Sequence, residues 1–386
     1  MRGRPGDAGA GWEAAIIGAA QTPYRRHPDD SVTTAAVLAE AVEAAVRDSG
    51  VPRDEIDGLA VASFTLGPDR AVDLAWKLGL RLRFLAEAPL GLGLVHQAQR
   101  AVEAGDARAV VVVGGDRMDS ARFRSMSDQY NAATRDLLVP IGVAGPNAQF
   151  SLLTAEHRRR HRLDRRPYGR VVMHQRERAA THRNGLFGDP LTMEGYLAAP
   201  AVTSELGLFD CVPLVTGASA VVVGRRGDAS GPPVAMLAFD ARYNVDDQEG
   251  DGLRLGLDGI AASIRERSGI DRHEVDIVCL YDDYPVIVLR QLEELGYLDD
   301  AGLAAMSQSG YPPGTPVVNP SGGLLCCGQA GAGGTLHGLL DAVEQLRGRA
   351  GPGQVPGART ALVTNYGMVL YRYGACASAL LLRSIA

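Results

Sequence analysis

Hydrophobic positions along the chain fall into two rhythms that take turns. Short runs of consecutive apolar residues read as buried strands, and between them stand stretches whose apolar residues recur every three to four positions, as on one face of a helix. Residues 12–20 (WEAAIIGAA) read as a strand, 33–48 as an Ala/Val-rich amphipathic helix and 57–63 as a second strand. Then come a helix over 91–104, a strand over 107–113 and a strand over 219–223. The order starts again with a strand at 233–239, a helix at 253–268, a strand at 276–280, a helix at 333–347 and strands at 361–364 and 378–382. Strands alternating with helices predict an α/β fold.

The second series repeats the first in detail. Ser49-Gly50-Val51-Pro52-Arg53-Asp54-Glu55-Ile56-Asp57 matches Ser268-Gly269-Ile270-Asp271-Arg272-His273-Glu274-Val275-Asp276, each between a helix and a buried strand. Ala107-Arg108 and Ala358-Arg359 each open an apolar strand. Shared register across several residue types favours a duplication over chance likeness of helix–strand corners. The expected organisation is a tail at 1–11, a first half at 12–230 and a second half at 231–386. Two such halves pack about a pseudo-twofold axis and bring equivalent loops together at the carboxyl ends of strands, where α/β folds bind ligands. The loops concerned are 88–93, 281–285, 319–334 and 364–374.

The first half carries an insertion at about 117–202, rich in arginine from Arg158 to Arg183. Two readings fit it: a solvated helical face, or a cradle for an anionic ligand such as a phosphorylated nucleotide carrier. The rest of the composition is that of an ordinary globular protein, with 46% hydrophobic and 22% charged residues over 386 positions. A formal charge of −6 argues against nucleic acid as a partner. No apolar run approaches the roughly 18–20 residues of a membrane span, and no secretory signal opens the chain. Five cysteines without C-x-x-C spacing give no reason to expect a disulfide framework, a zinc site or any other metal, and a cytoplasmic location is the expectation.

Several segments resemble the thiolase superfamily, and more closely its lipid-transfer-protein and aldolase branch. They are Gly105-Asp106-Ala107 before the VVVVGG strand, Asn319-Pro320-Ser321-Gly322-Gly323, Phe187-Gly188-Asp189-Pro190-Leu191-Thr192, the Phe-Asp-Cys at Phe209 and the Tyr-Gly-Met at Tyr366. The resemblance covers nearly the whole chain from Glu13. It implies thiolase-like βαβαβαββ halves in a five-layer α-β-α-β-α arrangement with an inserted loop domain. It also implies a homodimer and a small zinc-ribbon/OB-fold partner that binds acyl-CoA, with no cofactor held by this chain and a CoA thioester as substrate.

The catalytic positions of that family depart from its pattern here. The nucleophilic cysteine falls on Ala88, the histidine of the glycine-rich loop on Gln329 and the second cysteine at about Asn365. Alanine has no nucleophilic atom, so acyl-enzyme chemistry through this position is excluded. Cys326 and Cys327 replace small apolar residues in register and read as small hydrophobes. What remains is aromatic: Tyr281 stands where the family has an asparagine, in Leu280-Tyr281-Asp282-Asp283-Tyr284, and Tyr366, Tyr371 and Tyr373 crowd the C-terminal loop. Either these tyrosines pack a sheet edge or they converge on a site.

A convergent site suits a retro-aldol reaction of a β-hydroxyacyl-CoA, for which a steroid side chain is one candidate. The reaction needs a base for the hydroxyl, donors for the enolate oxygen and an acid for carbon. The candidate catalytic residues are Tyr281, Tyr366 and Tyr373. Gln329, Asn319 and Gly328 are candidates for oxyanion binding or positioning, and Asp282, Tyr284, Tyr371 and Ala88 for substrate contact. The N-terminus of the helix after the glycine run 328–334 is a further oxyanion candidate. Two alternatives stand beside this lyase: an acyl-CoA C-acyltransferase with an atypical nucleophile, and a non-catalytic lipid- or acyl-CoA-binding subunit.

Overall fold

The computed structural model describes residues 14–67, 69–129, 132–143, 145–245, 252–370 and 373–385, with side chains at 368–375 excepted. The expected tail at 1–11 lies outside the described residues, as does Tyr371.

In chain order the first series is β1 (Ala14–Gln21), α1 (Thr34–Ser49), β2 (Gly58–Ala62), α2 (Arg70–Leu78), β3 (Phe84–Glu87), α3 (Gly91–Ala104) and β4 (Ala109–Asp116). The insertion follows as α4 (Ser120–Asp128), α5 (Gly145–His161), α6 (Arg166–Ala179) and α7 (Met193–Leu197), and β5 (Gly217–Arg225) returns to the sheet. The second series is β6 (Val234–Tyr243), α8 (Leu257–Ser268), β7 (Ile277–Cys279), α9 (Pro285–Glu294), α10 (Asp300–Met306), β8 (Val317–Val318), α11 (Gly323–Cys327), α12 (Gly334–Leu346), β9 (Thr360–Leu370) and β10 (Tyr373–Ser384).

The strands run in the order β3-β2-β4-β5-β1-β6-β10-β9-β7-β8. Read outward from the middle, the two runs of five mirror each other. β2 pairs parallel with β3 and β4, and β7 pairs parallel with β8 and β9. The inner strands of both runs are antiparallel. Only two residue pairs, Ala15–Ala235 and Ile16–Val234, join β1 to β6.

Burial sorts the helices into layers. Leu92, Val95 and Val102 of α3 and Leu336, Leu339 and Val343 of α12 share one core with inward residues of both runs of strands. On the far face of the first run, Leu38 and Val42 of α1 and Leu74 of α2 pack against Val111 and Val222. On the far face of the second, Ile260 of α8 and Leu289 of α9 pack against Leu381, together with the insertion's Phe150, Leu153 and Val172. The layers are therefore α-β-α-β-α, as expected.

The repeated nonapeptides build the same corner twice. The Ser49 hydroxyl accepts from Val51 N–H and the Ser268 hydroxyl from Ile270 N–H, each at 3.1 Å. Gly50 and Gly269 close their helices in the left-handed region, at φ 75° and 71°, where a side chain is strained. The aspartate that ends each repeat accepts from the opening of the strand at a distance: Asp57 from Arg108 and Ala109, Asp276 from Arg359 and Thr360. Sequence register here is hydrogen-bond register.

Among the described residues no single helix is long and apolar enough to cross a membrane. Several arginines of the insertion have partners within the protein. Arg158 pairs with Glu205, Arg159 with Glu156, Arg165 with Asp210 and Arg166 with Asp164. Arg170 donates to Gln308 O, and Arg176 donates to Asp189 O and lies over the Phe187 and Phe209 rings. For these six guanidinium groups the structure favours internal bracing over an anion cradle.

Candidate active site

Pro285 at the first position of α9 fixes where that helix starts and leaves 280–284 as a short connector from β7. The connector is clamped through its backbone. Leu280 N–H donates to Asn319 Oδ1 at 2.7 Å, and Tyr281 N–H donates to Thr364 Oγ1 at 3.2 Å. Gln291 Nε2 donates to Tyr281 O at 2.6 Å. Successive side chains then alternate sides, as in any extended segment. Asp282 turns toward α11 and accepts from Leu324 N–H, Leu325 N–H and Gln175 Nε2. Tyr281 and Asp283 share the other side.

On that side the Tyr281 hydroxyl donates to Asp283 Oδ2 at 2.8 Å, and Gln329 Nε2 donates to the Tyr281 hydroxyl at 2.8 Å and to Asp283 Oδ2 at 3.1 Å. The other carboxylate oxygen, Asp283 Oδ1, is buried without a hydrogen-bond partner. Burial pushes the Asp283 carboxyl up to about 7, aided by the neighbouring Asp282 charge and opposed by the Tyr281 and Gln329 hydrogen bonds. A carboxyl that is half ionised near neutral pH and has a free oxygen suits a general base.

Gln329 reaches this point because of the glycine before it. Gly328 sits at φ 100°, and a Cβ there would lie 2.5 Å from Val215 Cγ1. Its N–H is taken by Leu324 O at 2.7 Å, so Gly328 positions its neighbour and is no oxyanion donor. Gln329 is then pinned through its own N–H to Pro213 O and through its carbonyl to Val215 N–H.

A cavity of about 80 Å³ opens onto Tyr281, Asp283 and Gln329. Tyr366 borders it too, so the two tyrosines expected from different strand ends do meet at one cavity. Phe64, Met118, Phe123, Met126 and Phe150 supply an apolar wall, suited to a hydrophobic acyl group. Tyr366 is 1% exposed and stands edge-on to Phe150 at 6.4 Å.

Other expected site residues are placed elsewhere. Asp282 is spent on α11, which corrects its reading as a substrate contact. Tyr284 stacks on Phe150 at 4.1 Å and donates to Asn147 Oδ1, and so supports the wall from behind. Asn319 is 3% exposed, and its Oδ1 serves Leu280. Ala88 packs against the central core, with Leu90 approaching Gly367 nearby. The α12 approach is not an oxyanion hole: Ala332 N–H donates to Asp116 Oδ2 at 2.8 Å, and Gly331, at φ 56°, has no room for a Cβ beside that carboxylate. Tyr373 opens β10, paired with Leu370.

Asp283 is not among the site residues expected from sequence, although the i, i+2 spacing from Tyr281 in an extended segment points to a shared face. Asp116 was missed altogether. None of the five cysteines is in a disulfide, and none borders this cavity. Burial pushes Cys326 and Cys376 up to about 12 and holds Cys327 well above the usual thiol range, so these thiols stay protonated.

Layered, duplicated halves with a polar cluster at their strand ends define a thiolase-type fold. Residues 252–377 match the family model described as "Thiolase C-terminal domain-like". A lyase of Mycobacterium tuberculosis, "17-hydroxy-3-oxo-4-pregnene-20-carboxyl-CoA lyase", is 28% identical over 91% of this chain and 96% of its own length. The "Steroid side-chain-cleaving aldolase" of Thermomonospora curvata is 28% identical over 87% of this chain and 90% of its own. The solved structure of an "Ltp2-ChsH2(DUF35) aldolase" superposes with a TM-score of 0.79 at 24% identity, over 96% of this chain and 98% of that one. Human mitochondrial 3-ketoacyl-CoA thiolase superposes with a TM-score of 0.68 at 14% identity, over 97% and 99%. Over nearly its whole length the chain is similar to proteins of the thiolase superfamily's lipid-transfer-protein and aldolase branch.

Proposed function

We propose that the protein is a carbon–carbon lyase that splits a β-hydroxyacyl-CoA by retro-aldol cleavage, with a steroid side chain as the substrate class. Asp283 takes the proton of the β-hydroxyl through Oδ1. The C–O bond gains double-bond character, the Cα–Cβ bond breaks, and its electron pair passes into the thioester enolate. A ketone or aldehyde leaves, and Cα is reprotonated. No bond to the enzyme forms at any stage.

Tyr281 and Gln329 hold Asp283 in place, their donors spent on its Oδ2 and on each other. Tyr366 is the phenol for the enolate and for reprotonation of carbon. Tyr373 is the third candidate catalytic residue, and Tyr371 and Ala88 are candidates for substrate contact. The observation that carries the reading is the free, buried oxygen of Asp283 beside Tyr281 in an apolar cavity. The names of the two relatives support the lyase class and the CoA thioester.

We read residues 12–230 and 231–386 as the duplicated halves, with 117–202 inserted into the first. A homodimer through the sheet edge is supported by Leu85 on the edge strand β3 and by Val72 and Trp76 on α2, all exposed. The partner is a zinc-ribbon/OB-fold acyl-CoA-binding protein, supported by the DUF35 component in the name of the structurally similar aldolase. Five free thiols fit a cytoplasmic setting.

The test is turnover of a β-hydroxyacyl-CoA by the chain with such a partner, followed as release of ketone or aldehyde and the shortened acyl-CoA. Cleavage is expected for the parent protein and not for Asp283→Asn. An acyl adduct on the protein in denaturing mass spectrometry would instead support the acyltransferase. Unchanged turnover in Asp283→Asn, Tyr281→Phe and Tyr366→Phe would leave only the binding-subunit reading.

A further inference from the structure

A second cluster of polar side chains lies apart from the lyase cavity, where the insertion meets α9. His157 and His161 stand one turn apart on the same face of α5, and Glu293 of α9 faces them. His157 Nε2 is 3.0 Å from Glu293 Oε2, and His161 Nε2 is 3.5 Å from Glu293 Oε1. The ligand atoms of all three residues lie within 4.8 Å of one another. We propose that these residues form a divalent-cation site of zinc type.

The outer contacts orient both rings for it. Tyr168 OH is 2.7 Å from His157 Nδ1, and Asp300 Oδ1 is 2.8 Å from His161 Nδ1. With Nδ1 taken by Asp300, Nε2 is the His161 atom left to face Glu293. That Nε2 is buried with no hydrogen-bond partner, opposite a carboxylate oxygen. Two such atoms facing each other suit a cation between them. Zinc bound at about 2.0–2.1 Å in a tetrahedral site sets neighbouring ligand atoms about 3.4 Å apart, close to the spacings found. A carboxylate or water partner on the second ring nitrogen is the usual support of a metal-bound histidine.

The local charge permits it. Arg290 lies 2.9 Å from Glu293 Oε2 but is shared with Glu294 at 3.1 Å, so one carboxylate charge remains for a cation, with Asp300 beyond it. A bound ion clamps α5 to α9. α5 carries Gln149 and Phe150 of the cavity wall, and α9 follows directly on Tyr284. The site braces the wall of the lyase cavity and takes no part in the chemistry.

The experiment is zinc binding by the full chain, produced without a histidine tag, stripped with chelator and titrated with zinc chloride. Metal content after dialysis, calorimetry and the melting temperature are the readouts, and none depends on lyase activity. About one zinc per chain, a higher melting temperature with zinc and at least tenfold weaker binding in His161→Ala and Glu293→Gln are expected. His161 is partly exposed, so its variant folds even where a change at the fully buried His157 disrupts packing. Cobalt in place of zinc reports a tetrahedral site through its visible absorption. No stoichiometric uptake, or equal affinity in the parent and both variants, overturns the proposal and leaves an ion pair between Glu293 and a protonated His161.

Discussion

β2 and β7 hold equivalent places in the mirrored strand order, and each is followed by a loop that gathers around a buried carboxylate. After β2 that carboxylate is Asp116, at the end of β4. It accepts from Ser63 Oγ, Phe64 N–H, Thr65 N–H, Thr65 Oγ1 and Ala332 N–H. After β7 it is Asp283, which has two donors on one oxygen and none on the other. Burial raises both carboxyls. The first is saturated and knits the loop to the glycine run; the second has one oxygen without a hydrogen-bond partner. Asp116 is fully buried and satisfied, Asp283 half-buried and satisfied on one oxygen: that difference separates a brace from a base.

Substitutions at the two aspartates should therefore separate cleanly. Asp283→Asn removes the base, and kcat/KM should fall by about 10³–10⁴ in a product-release assay, while the fold persists. Asp116→Ala should instead strip an acceptor from five buried donors. It should cost about 3–5 kcal/mol of stability, read as a lower denaturation midpoint, with the residual folded enzyme still able to turn over. Equal effects of the two changes on turnover per folded molecule would break the contrast.

A smaller effect is expected at Tyr281→Phe, about 10–100-fold in kcat, because Gln329 still holds Asp283. Since the Tyr281 hydrogen bond lowers the Asp283 pKa, its loss should move the acid limb of the rate profile upward. Stability carries its own signature. A carboxyl whose folded pKa stands above its unfolded value binds more protons when folded, so its contribution to stability is greatest at pH 4 and below and is lost as pH rises to 7. Asp283→Asn should remove that loss and melt a few degrees higher than the parent at pH 8, checked by calorimetry at pH 5 and 8. Smallest of all, Cys326→Ala and Cys376→Ala should leave turnover within about twofold.

Much of the architecture was legible because it repeats. The paired nonapeptides encode the same cap, corner and aspartate-to-strand bonds, and apolar runs such as 107–113 bury on both faces. The short edge strands β3 and β8, and the helices α2, α9 and α10, were not anticipated: two to four residues of strand give too little periodicity to read. In the site, family register found Tyr281 and Gln329, and Tyr366 followed from the aromatic count. Asp282 and Asp283 were told apart only by which way each side chain turns, and that depends on where α9 begins and on the α11 N–H groups waiting for Asp282. Asp116 was invisible because its partners come from residues more than fifty positions before it and two hundred after it.

The pH dependence of kcat/KM for β-hydroxyacyl-CoA cleavage bears most directly on Asp283. A single ionisation near pH 7, with the rate rising as the group loses its proton and the limb absent from the residual activity of Asp283→Asn, is the expected result. A flat profile between pH 5 and 8, or a limb that persists in that variant, would show that another group removes the proton.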